Sequence, residues 1–154
     1  FESAIEGLAE LGVARLSPLL TERTERKPPS DSRLERWRQI ASSGAALAGR
    51  LLPLEVCSPI TLEELLSGSR DVPLLFGKHA GTPLHSLFAP LTAAVLAVGP
   101  EGGFSPTEQE ALTRAGAVGV TLGPLNLRVE TAALAFVARI QERFGGNEAD
   151  LHDT

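Results

Sequence analysis

The sequence predicts an α/β domain with a mostly parallel sheet that is flanked by helices. Short apolar segments that are typical of buried strands alternate with helical patterns along the chain. Two of these segments end in a Gly-Pro pair that precedes a helix, at Gly99-Pro100 and at Gly123-Pro124. Because apolar strands that alternate with helices are typical of parallel sheets, the pattern favours this fold class. The 154 residues, 43% of them hydrophobic, suffice for one domain with its own core.

The first half of the chain is predicted to contain three helices and two strands. The longest helix includes a run of small residues, Ser42–Gly49, which permits close packing against another backbone. In chain order we expect a helix at Ser3–Leu11 that Gly12 ends, a strand at Val13–Leu20 broken at Pro18, a loop at Thr21–Ser32, a long helix that Asp31 or Ser32 caps and that ends near Leu51, a short strand at Leu54–Cys57, and a brief helix at Leu62–Leu66 that Thr61 caps.

The second half is predicted to contain three strands and two longer helices. The helix after Gly103 has a well-marked start, because Ser105 suits the N-cap, Pro106 the first helical position and Glu108 a capping box. In chain order we expect a strand at Val72–Gly77, a loop containing Lys78 and His79, one helical turn at Pro83–Leu87, a strand at Ala94–Val98, a helix at Glu108–Ala115, a strand at Val118–Leu122 and a helix that ends near Phe144, before an acidic tail.

The segment Val98–Glu108 is the first candidate for a binding site. Its glycines and Pro100 let the backbone bend sharply and approach a ligand with no side chain in the way. A strand, a glycine turn and a helix N-terminus in this order bind cofactors at the carboxyl ends of parallel strands. The same order recurs at Gly123-Pro124, and two such units side by side would place both loops at one edge of the sheet. The alternative is that Gly and Pro only mark turns, which leaves the arginine, glutamate and threonine of the second turn unexplained.

Composition argues against several classes of function. The net charge of −5 disfavours nonspecific binding of nucleic acid by the whole surface. No apolar run approaches the roughly 20 residues that span a bilayer, and the first residues do not resemble a secretory signal. Cys57 is the single cysteine, so no internal disulfide can form and a reducing setting is favoured. A buried small side chain is the favoured interpretation of Cys57 over a nucleophile, and the histidines lack the spacing of metal ligands.

One segment is basic although the protein is acidic. Basic residues outnumber acidic ones between Arg23 and Arg50. One interpretation is a solvated helix face, and the other is a surface that contacts the RNA backbone. The basic residues of this segment are Arg23, Arg26, Lys27, Arg33, Arg36, Arg38 and Arg50.

Two motifs are similar to the signature pair of the RsmE-type 16S ribosomal RNA (uracil-N3) methyltransferases, which belong to the SPOUT superfamily. The motifs are Gly99-Pro100-Glu101-Gly102-Gly103-Phe104 and Leu122-Gly123-Pro124-x-x-Leu127-Arg128-x-Glu130-Thr131-Ala132. The resemblance covers nearly the whole chain, because further landmarks of the family are matched by Glu10-Leu11-Gly12-Val13, Glu22-Arg23, Arg36-Trp37-x-x-Ile40 and Gly49-Arg50.

The resemblance implies a fold, a cofactor and partners. The fold is of the SPOUT type with a C-terminal trefoil knot, a feature too rare in proteins to be proposed from physical principles alone. The cofactor is S-adenosyl-L-methionine, held in a bent shape by the two glycine loops. The implied partners are 16S ribosomal RNA or the small ribosomal subunit and a second copy of the chain, with a cytoplasmic location and no membrane. The family's N-terminal RNA-binding barrel is absent, and the chain lacks methionine, so residues 1–154 are expected to be an excised methyltransferase domain.

The resemblance also implies roles for single residues. Arg128 is expected to hold the uracil or an RNA phosphate, and Glu130 to orient Arg128 or to accept the proton. Glu130 and Thr131 have a second interpretation, in which they only satisfy the first turn of the last helix, and Glu101 one as a turn carboxylate. The predicted cofactor contacts are Phe76, Gly99, Pro100, Glu101, Gly102, Gly103, Leu122, Gly123, Leu127, Arg128, Thr131 and Ala132. The predicted RNA contacts are Arg23, Arg36 and Arg50, and no metal is expected.

Departures from the family pattern lie upstream of the glycine loops. Gly7 and Ala9 stand where the family has a lysine and a threonine. A polar run of the family survives only as Ser43–Arg50, and Leu51-Leu52 follow where polar or basic residues are common. Two alternatives therefore stay open. One is a SPOUT enzyme with another RNA target, such as a transfer-RNA ribose, and the other is a cofactor- or RNA-binding paralogue without turnover.

Overall fold

Every strand pairing is parallel in the described residues, which are 1–25, 27–68, 71–86 and 92–141 of this computed structural model. The predicted parallel sheet is therefore confirmed. The strands are β1 (Arg15–Leu16), β2 (Leu19–Leu20), β3 (Glu55–Val56), β4 (Ile60–Thr61), β5 (Leu74–Pro83), β6 (Val95–Ala97) and β7 (Val118–Thr121).

Two short strand pairs form the first part of the sheet structure. β1 pairs with β3, and β2 pairs with β4. The predicted break at Pro18 is present, because proline has no amide hydrogen to donate, although its carbonyl still accepts the amide of Ile60 at 2.9 Å. Arg15 and Glu55 face each other across β1 and β3, and the hydrogen bond to Glu55 raises the pKa of the Arg15 guanidinium.

The second sheet has the order β6-β5-β7, with β5 in the centre. This order corrects the expectation that the two glycine units lie side by side, because β5 separates β6 from β7. It keeps the predicted consequence, since both outer strands run parallel to β5 and end at the same edge. The sheet therefore carries the two glycine loops on either side of its central strand.

Strand β5 is longer than predicted. Lys78 and His79 were expected in a loop, but β5 continues through them to Pro83. The pairing with β7 shifts register after Gly77 and resumes at Thr82, and both of these residues pair with Val120. Gly81 makes this second pass possible, because a Cβ at that position would lie 2.8 Å from the carbonyl oxygen of Gly119. The apolar pattern ends at Gly77, so it does not predict a strand that continues by backbone pairing alone.

The helices agree with the prediction except at their ends. Ser30 rather than Asp31 or Ser32 caps α2, because its hydroxyl accepts the amide of Arg33. The same helix ends before Leu51, since Gly49 adopts a left-handed conformation (φ 70°) that terminates it. The helices are α1 (Glu2–Glu10), α2 (Asp31–Leu47), α3 (Leu62–Ser67), α4 (Pro106–Arg114) and α5 (Val129–Gln141), with one 3-10 turn at Leu84–Ser86. Thr61 caps α3 as predicted.

The predicted close packing of small residues is confirmed between α1 and α2. A Cβ on Gly44 would lie 2.9 Å from the carbonyl oxygen of Glu6, so only glycine fits there. Around this contact the buried side chains of α1, α2 and β3 form one apolar cluster, against which Leu134 and Val137 of α5 pack. The two faces of the β5 sheet carry two further clusters, one under α4 and one under α5.

Three further expectations concern Cys57, membrane crossing and segments that lie partly outside the described residues. Cys57 is half-buried rather than buried, because Val56 before it faces the core and successive strand residues point to opposite sides. Among the described helices, none combines the length and the apolar character that crossing a membrane requires. The acidic tail, Leu87 of the predicted turn and the last residues of the helix predicted to end near Phe144 lie outside the described residues.

Candidate functional site

Two glycine loops meet the same edge of the central sheet. The first glycine loop, residues 98–105, follows β6, and the second glycine loop, residues 122–128, follows β7. Because β6 and β7 both run parallel to β5, the loops leave the sheet at its carboxyl edge, with the extension of β5 between them. This edge is where α/β sheets bind their ligands.

The first glycine loop is built around a tight turn. The amide of Gly103 donates to the carbonyl of Pro100 at 2.7 Å, and Gly103 has a positive φ of 65°. Gly99 lies against the start of the next segment, since a Cβ there would be 3.1 Å from the nitrogen of Phe104. Phe104 is buried and its ring meets that of Phe76 edge to face. The loop is therefore held to the core at its end, while its middle is main chain with little side-chain cover.

The capping box at the end of this loop is confirmed, and it has an additional partner. The Ser105 hydroxyl accepts the amide of Glu108, and one Glu108 oxygen accepts the amide of Ser105 at 2.8 Å. The other Glu108 oxygen accepts the amide of Glu22, also at 2.8 Å. Glu108 is 5% exposed, so this carboxylate is a buried link between the first glycine loop and the turn at 21–25.

Arg23 lies against the first glycine loop. Its Nη1 donates to the carbonyl oxygen of Gly102, and its Cδ would be 3.3 Å from a Cβ on Gly102. The sequence predicted Arg23 as an RNA contact and gave no indication of this bond. Arg23 and Gly102 are 79 positions apart in the chain. The family resemblance singled out each of them separately, in Glu22-Arg23 and in the glycine motif, but not the contact between them.

The second glycine loop is fixed by the side chain before it. The Thr121 hydroxyl accepts the amide of Gly123 at 3.1 Å and donates to the carbonyl of His79 at 3.0 Å. This hydroxyl therefore joins the loop to the extension of β5, a role that the sequence analysis missed. Gly123 has a positive φ of 122°, and beyond it Leu125 and Leu127 expose 75% and 36% of their surface.

The residues predicted to act on the substrate lie where α5 begins. The carbonyl of Arg128 accepts the amide of Ala132 at 2.8 Å, the first hydrogen bond of that helix. The Arg128 side chain is exposed, and the described residues include no hydrogen-bond or ion-pair partner for its guanidinium. Glu130 is half-buried, with Oε1 3.3 Å from the amino nitrogen of Phe1, so it faces the start of α1. Thr131 is exposed, and Ala132 packs against the core.

The remaining predicted cofactor contacts differ in their surroundings. Glu101 is exposed and Pro100 half-buried on the first glycine loop. Leu122, the first residue of the second glycine loop, is half-buried and packs against the core cluster under α5. The Phe76 side chain is buried in the core cluster under α4, where it supports Phe104, and its role as a cofactor contact stays a prediction.

Two of the three predicted RNA contacts have structural partners of their own. Arg50 donates to the carbonyls of Ala9 at 2.9 Å and Val13 at 3.3 Å, which covers the end of α1. Arg36 forms an exposed ion pair with Glu2 at 2.9 Å. Neither lies at the glycine loops, so the structure brings only Arg23 of the three to the candidate site.

Metal ligands are not gathered in the part of the chain that the structure describes. No three histidine, cysteine, aspartate or glutamate side chains come together there as a metal ion would require. The site as described consists of main chain from two loops, an apolar pair of leucines and the guanidinium groups of Arg23 and Arg128.

This arrangement defines an α/β domain that presents bare backbone for a cofactor at the carboxyl edge of a parallel sheet. The chain belongs to the RNA methyltransferase domain family, whose model matches residues 1–141. The fold and the family expected from the resemblance are thereby confirmed, and the trefoil knot stays a prediction.

Individual relatives agree with the family assignment. Ribosomal RNA small subunit methyltransferase E of Aquifex aeolicus is 29% identical over 138 residues, which cover 89% of this chain and 60% of the relative. The protein of the same name from Synechocystis is 34% identical over 147 residues, covering 91% of this chain and 48% of the relative. The crystal structure of ribosomal RNA small subunit methyltransferase E from Neisseria gonorrhoeae bound to S-adenosyl methionine is 32% identical, with a TM-score of 0.82 over 92% of this chain and 60% of that one. The chain thus spans about half to three-fifths of the length of these relatives.

Proposed function

We propose that this chain is the methyltransferase domain of an S-adenosyl-L-methionine-dependent enzyme that methylates N3 of a uridine in 16S ribosomal RNA. The observation that carries the proposal is the placement of two glycine loops on either side of β5, at one edge of a parallel sheet. The match to the RNA methyltransferase domain family and the cofactor bound to the Neisseria relative support it.

The loops fit such a cofactor because their glycines leave space where side chains would stand. At Gly103 and Gly123, no atom of the described residues lies within 4 Å of the point that a Cβ would occupy. Both residues also have a positive φ, which orients their peptide groups in a way that other residues rarely adopt. The exposed side chains of Leu125 and Leu127 supply an apolar surface beside this main chain, as the adenine ring of the cofactor requires.

The chemistry needs a methyl donor, a positioned base and removal of the N3 proton. Bound at the loops, S-adenosyl-L-methionine supplies an electrophilic methyl group. The main chain around Gly99, Gly102 and Gly123 would hold and position it by hydrogen bonds. Arg128, exposed at the start of α5, binds the uracil or a neighbouring phosphate and stabilises negative charge on the base.

Glu130 is assigned either to accept the N3 proton on its carboxylate or to orient Arg128. Its carboxylate lies beside the start of α1, with Oε1 3.3 Å from the nitrogen of Phe1. Further parts of the proposal follow from the family: the substrate is presented by the small ribosomal subunit or its RNA, two copies of the chain form the enzyme, and the location is cytoplasmic.

The cofactor site is tested by calorimetric titration of S-adenosyl-L-methionine into the chain, with its mass checked by light scattering. Gly102→Val should abolish binding, because a branched side chain there meets Arg23 and forces the first glycine loop or Arg23 to move. Arg128→Ala should retain binding within a few-fold, since its assigned partner is the RNA. If the folded, unmodified chain does not bind the cofactor, the methyltransferase proposal is wrong.

Transfer to RNA is tested with a radioactive methyl donor and small ribosomal subunits that lack the modification. The expected product is one methyl group per subunit at N3 of a uridine, identified by mass spectrometry of nucleosides. Arg128→Ala should lower kcat/KM by about 100-fold or more, as expected for loss of an electrostatic catalytic group. A methyl group on a ribose would instead indicate the alternative of a different RNA target.

A second function, binding without turnover, has one observation in its favour. The end of α2, where the family is polar, exposes Leu47, Leu51 and Leu52, and Leu51 is 99% exposed. Arg50 in the same segment is turned inward to the end of α1. Cofactor binding with no methyl transfer to any form of the small subunit would support this alternative.

A further inference from the structure

Arg23 fixes one peptide group of the first glycine loop from outside the loop. Its guanidinium donates to the carbonyl oxygen of Gly102, and on the other side of the same peptide the amide of Gly103 donates to Pro100 at 2.7 Å. Because a trans peptide is planar with its oxygen and hydrogen on opposite sides, these two bonds together determine the orientation of the whole group.

The turn that carries Arg23 is itself held in place. The amide of Thr21 donates to the Thr24 hydroxyl at 2.9 Å, and the amide of Thr24 donates to the Thr21 carbonyl at 3.0 Å. The amide of Glu22 is bound by the buried carboxylate of Glu108 at 2.8 Å. Arg23 therefore extends from a backbone that is anchored next to the loop, so little backbone entropy is lost when its guanidinium binds Gly102.

The glycines of the first glycine loop make it entropically costly to hold this loop in one conformation. Three of its residues are glycines, which sample more backbone conformations than other residues and lose more entropy when a ligand fixes them. A loop that is already held in one conformation binds its ligand more tightly, since the cost of ordering has been met by the fold.

We propose that Arg23 is a positioning residue that holds the first glycine loop in its cofactor-binding conformation. This rests on the proposed function, since it assigns S-adenosyl-L-methionine to that loop. It differs from the expectation that Arg23 contacts RNA, because it predicts an effect on cofactor affinity when no RNA is present.

The test compares Arg23→Gln, Arg23→Lys and Arg114→Gln. Arg114 is a suitable control because it is an exposed arginine at the far end of α4, paired with Glu110. Arg23→Gln should raise the Kd for S-adenosyl-L-methionine by about tenfold, the equivalent of one charge-assisted hydrogen bond, while Arg114→Gln leaves it unchanged. Arg23→Lys, which keeps a charged donor, should recover part of the affinity. Equal melting temperatures of the variants exclude a general loss of structure.

Hydrogen exchange of the ligand-free chain separates this proposal from the proposed function. In Arg23→Gln the amides of residues 101–104 should exchange about tenfold faster than in Arg114→Gln. If the unmodified chain binds no cofactor but this difference is present, the positioning role holds and the proposed function fails. The proposal is wrong if Arg23→Gln binds the cofactor as tightly as the unmodified chain does, or if it leaves the exchange rates unchanged. If in that case the affinity for RNA falls, Arg23 is an RNA contact.

Discussion

The Glu108 carboxylate connects two parts of the chain because each of its oxygens accepts one backbone amide. One donor, Ser105, is local and belongs to the capping box, and the other, Glu22, lies 86 residues earlier. With only 5% of the residue exposed, water replaces neither bond if it is lost. Beside the bond from Arg23 to Gly102, this side chain therefore helps to position the turn at 21–25 next to the first glycine loop.

Glu108→Gln tests that dependence. Glutamine keeps one oxygen, but the NH2 of its side-chain amide replaces the other. This NH2 group cannot accept a hydrogen bond, so one of the two buried backbone amides loses its acceptor. We expect the free energy of unfolding to fall by about 1–3 kcal/mol, measured by urea denaturation. The control is Glu110→Gln on the same helix, whose ion pair with Arg114 is exposed and is expected to contribute no more than about 0.5 kcal/mol. Equal losses in the two variants would contradict a special role for Glu108.

At this scale the sequence predicts what is local. The capping box at Ser105 follows from residues three apart, and the bare glycines follow from composition. The contact of Arg23 with Gly102 and that of Glu22 with Glu108 are set by the tertiary fold, and no short-range pattern encodes them. For the same reason no short-range pattern indicated that Arg50 covers the end of α1, and its role as an RNA contact stays a prediction.

At the scale of elements, α1 and α2 are joined by a backbone contact that depends on one glycine. Gly44 and Gly7 both lie within helices, so replacing either by alanine gains the same helix propensity, about 1 kcal/mol. Their surroundings differ. The new Cβ would meet the carbonyl oxygen of Glu6 at 2.9 Å in the first case, and the end of the Leu134 side chain at 2.8 Å in the second.

Gly44→Ala should therefore destabilise the protein, and Gly7→Ala should not. A backbone oxygen moves only if α1 shifts, at a cost of about 1–3 kcal/mol, whereas Leu134 can change rotamer. Thermal unfolding followed by circular dichroism measures both variants, and the expected order is Gly44→Ala well below the unmodified protein and Gly7→Ala near or above it. The reverse order would mean that α1 and α2 are not packed this closely.

Elements with an apolar period are predicted well, and the extension of β5 shows where the pattern ends. Residues 74–77 are apolar or glycine and face apolar clusters on both sides of the sheet, so this part of the strand is predicted from its apolar residues. From Lys78 onward the residues are polar or small, and the strand persists because it pairs with β7 and because Gly81 allows the close approach. Backbone pairing of this kind leaves no side-chain pattern to detect.

For the whole molecule, the central position of β5 predicts a gradient of stability. β5 is bonded on both sides and its first residues are buried, whereas the second glycine loop is largely exposed. We expect the amides of 74–77 to exchange only through global unfolding, and those of 125–128 to exchange faster by about 10³-fold or more. Hydrogen exchange followed by mass spectrometry measures this, and similar rates in the two segments would contradict the central placement of β5.

The fold class follows from the alternation of strands and helices, but the order of the strands does not. Both Gly-Pro units were expected to be neighbours because they follow each other in the chain. The sheet instead places the earlier strand β5 between them. Strands β6 and β7 each cover one edge of this apolar strand, so neither of its edges is exposed. Strand order is a property of the complete sheet, and local patterns do not encode it.

The bond between Glu22 and Glu108 also has a consequence for the order of synthesis. A ribosome that has translated the turn at 21–25 must add the residues up to Glu108 before the anchor of that turn exists. Strands β6 and β7, which bring the two glycine loops to β5, are made later than the strand they join. The two glycine loops therefore lie together at the edge of the sheet only after β7 and the second glycine loop have been made.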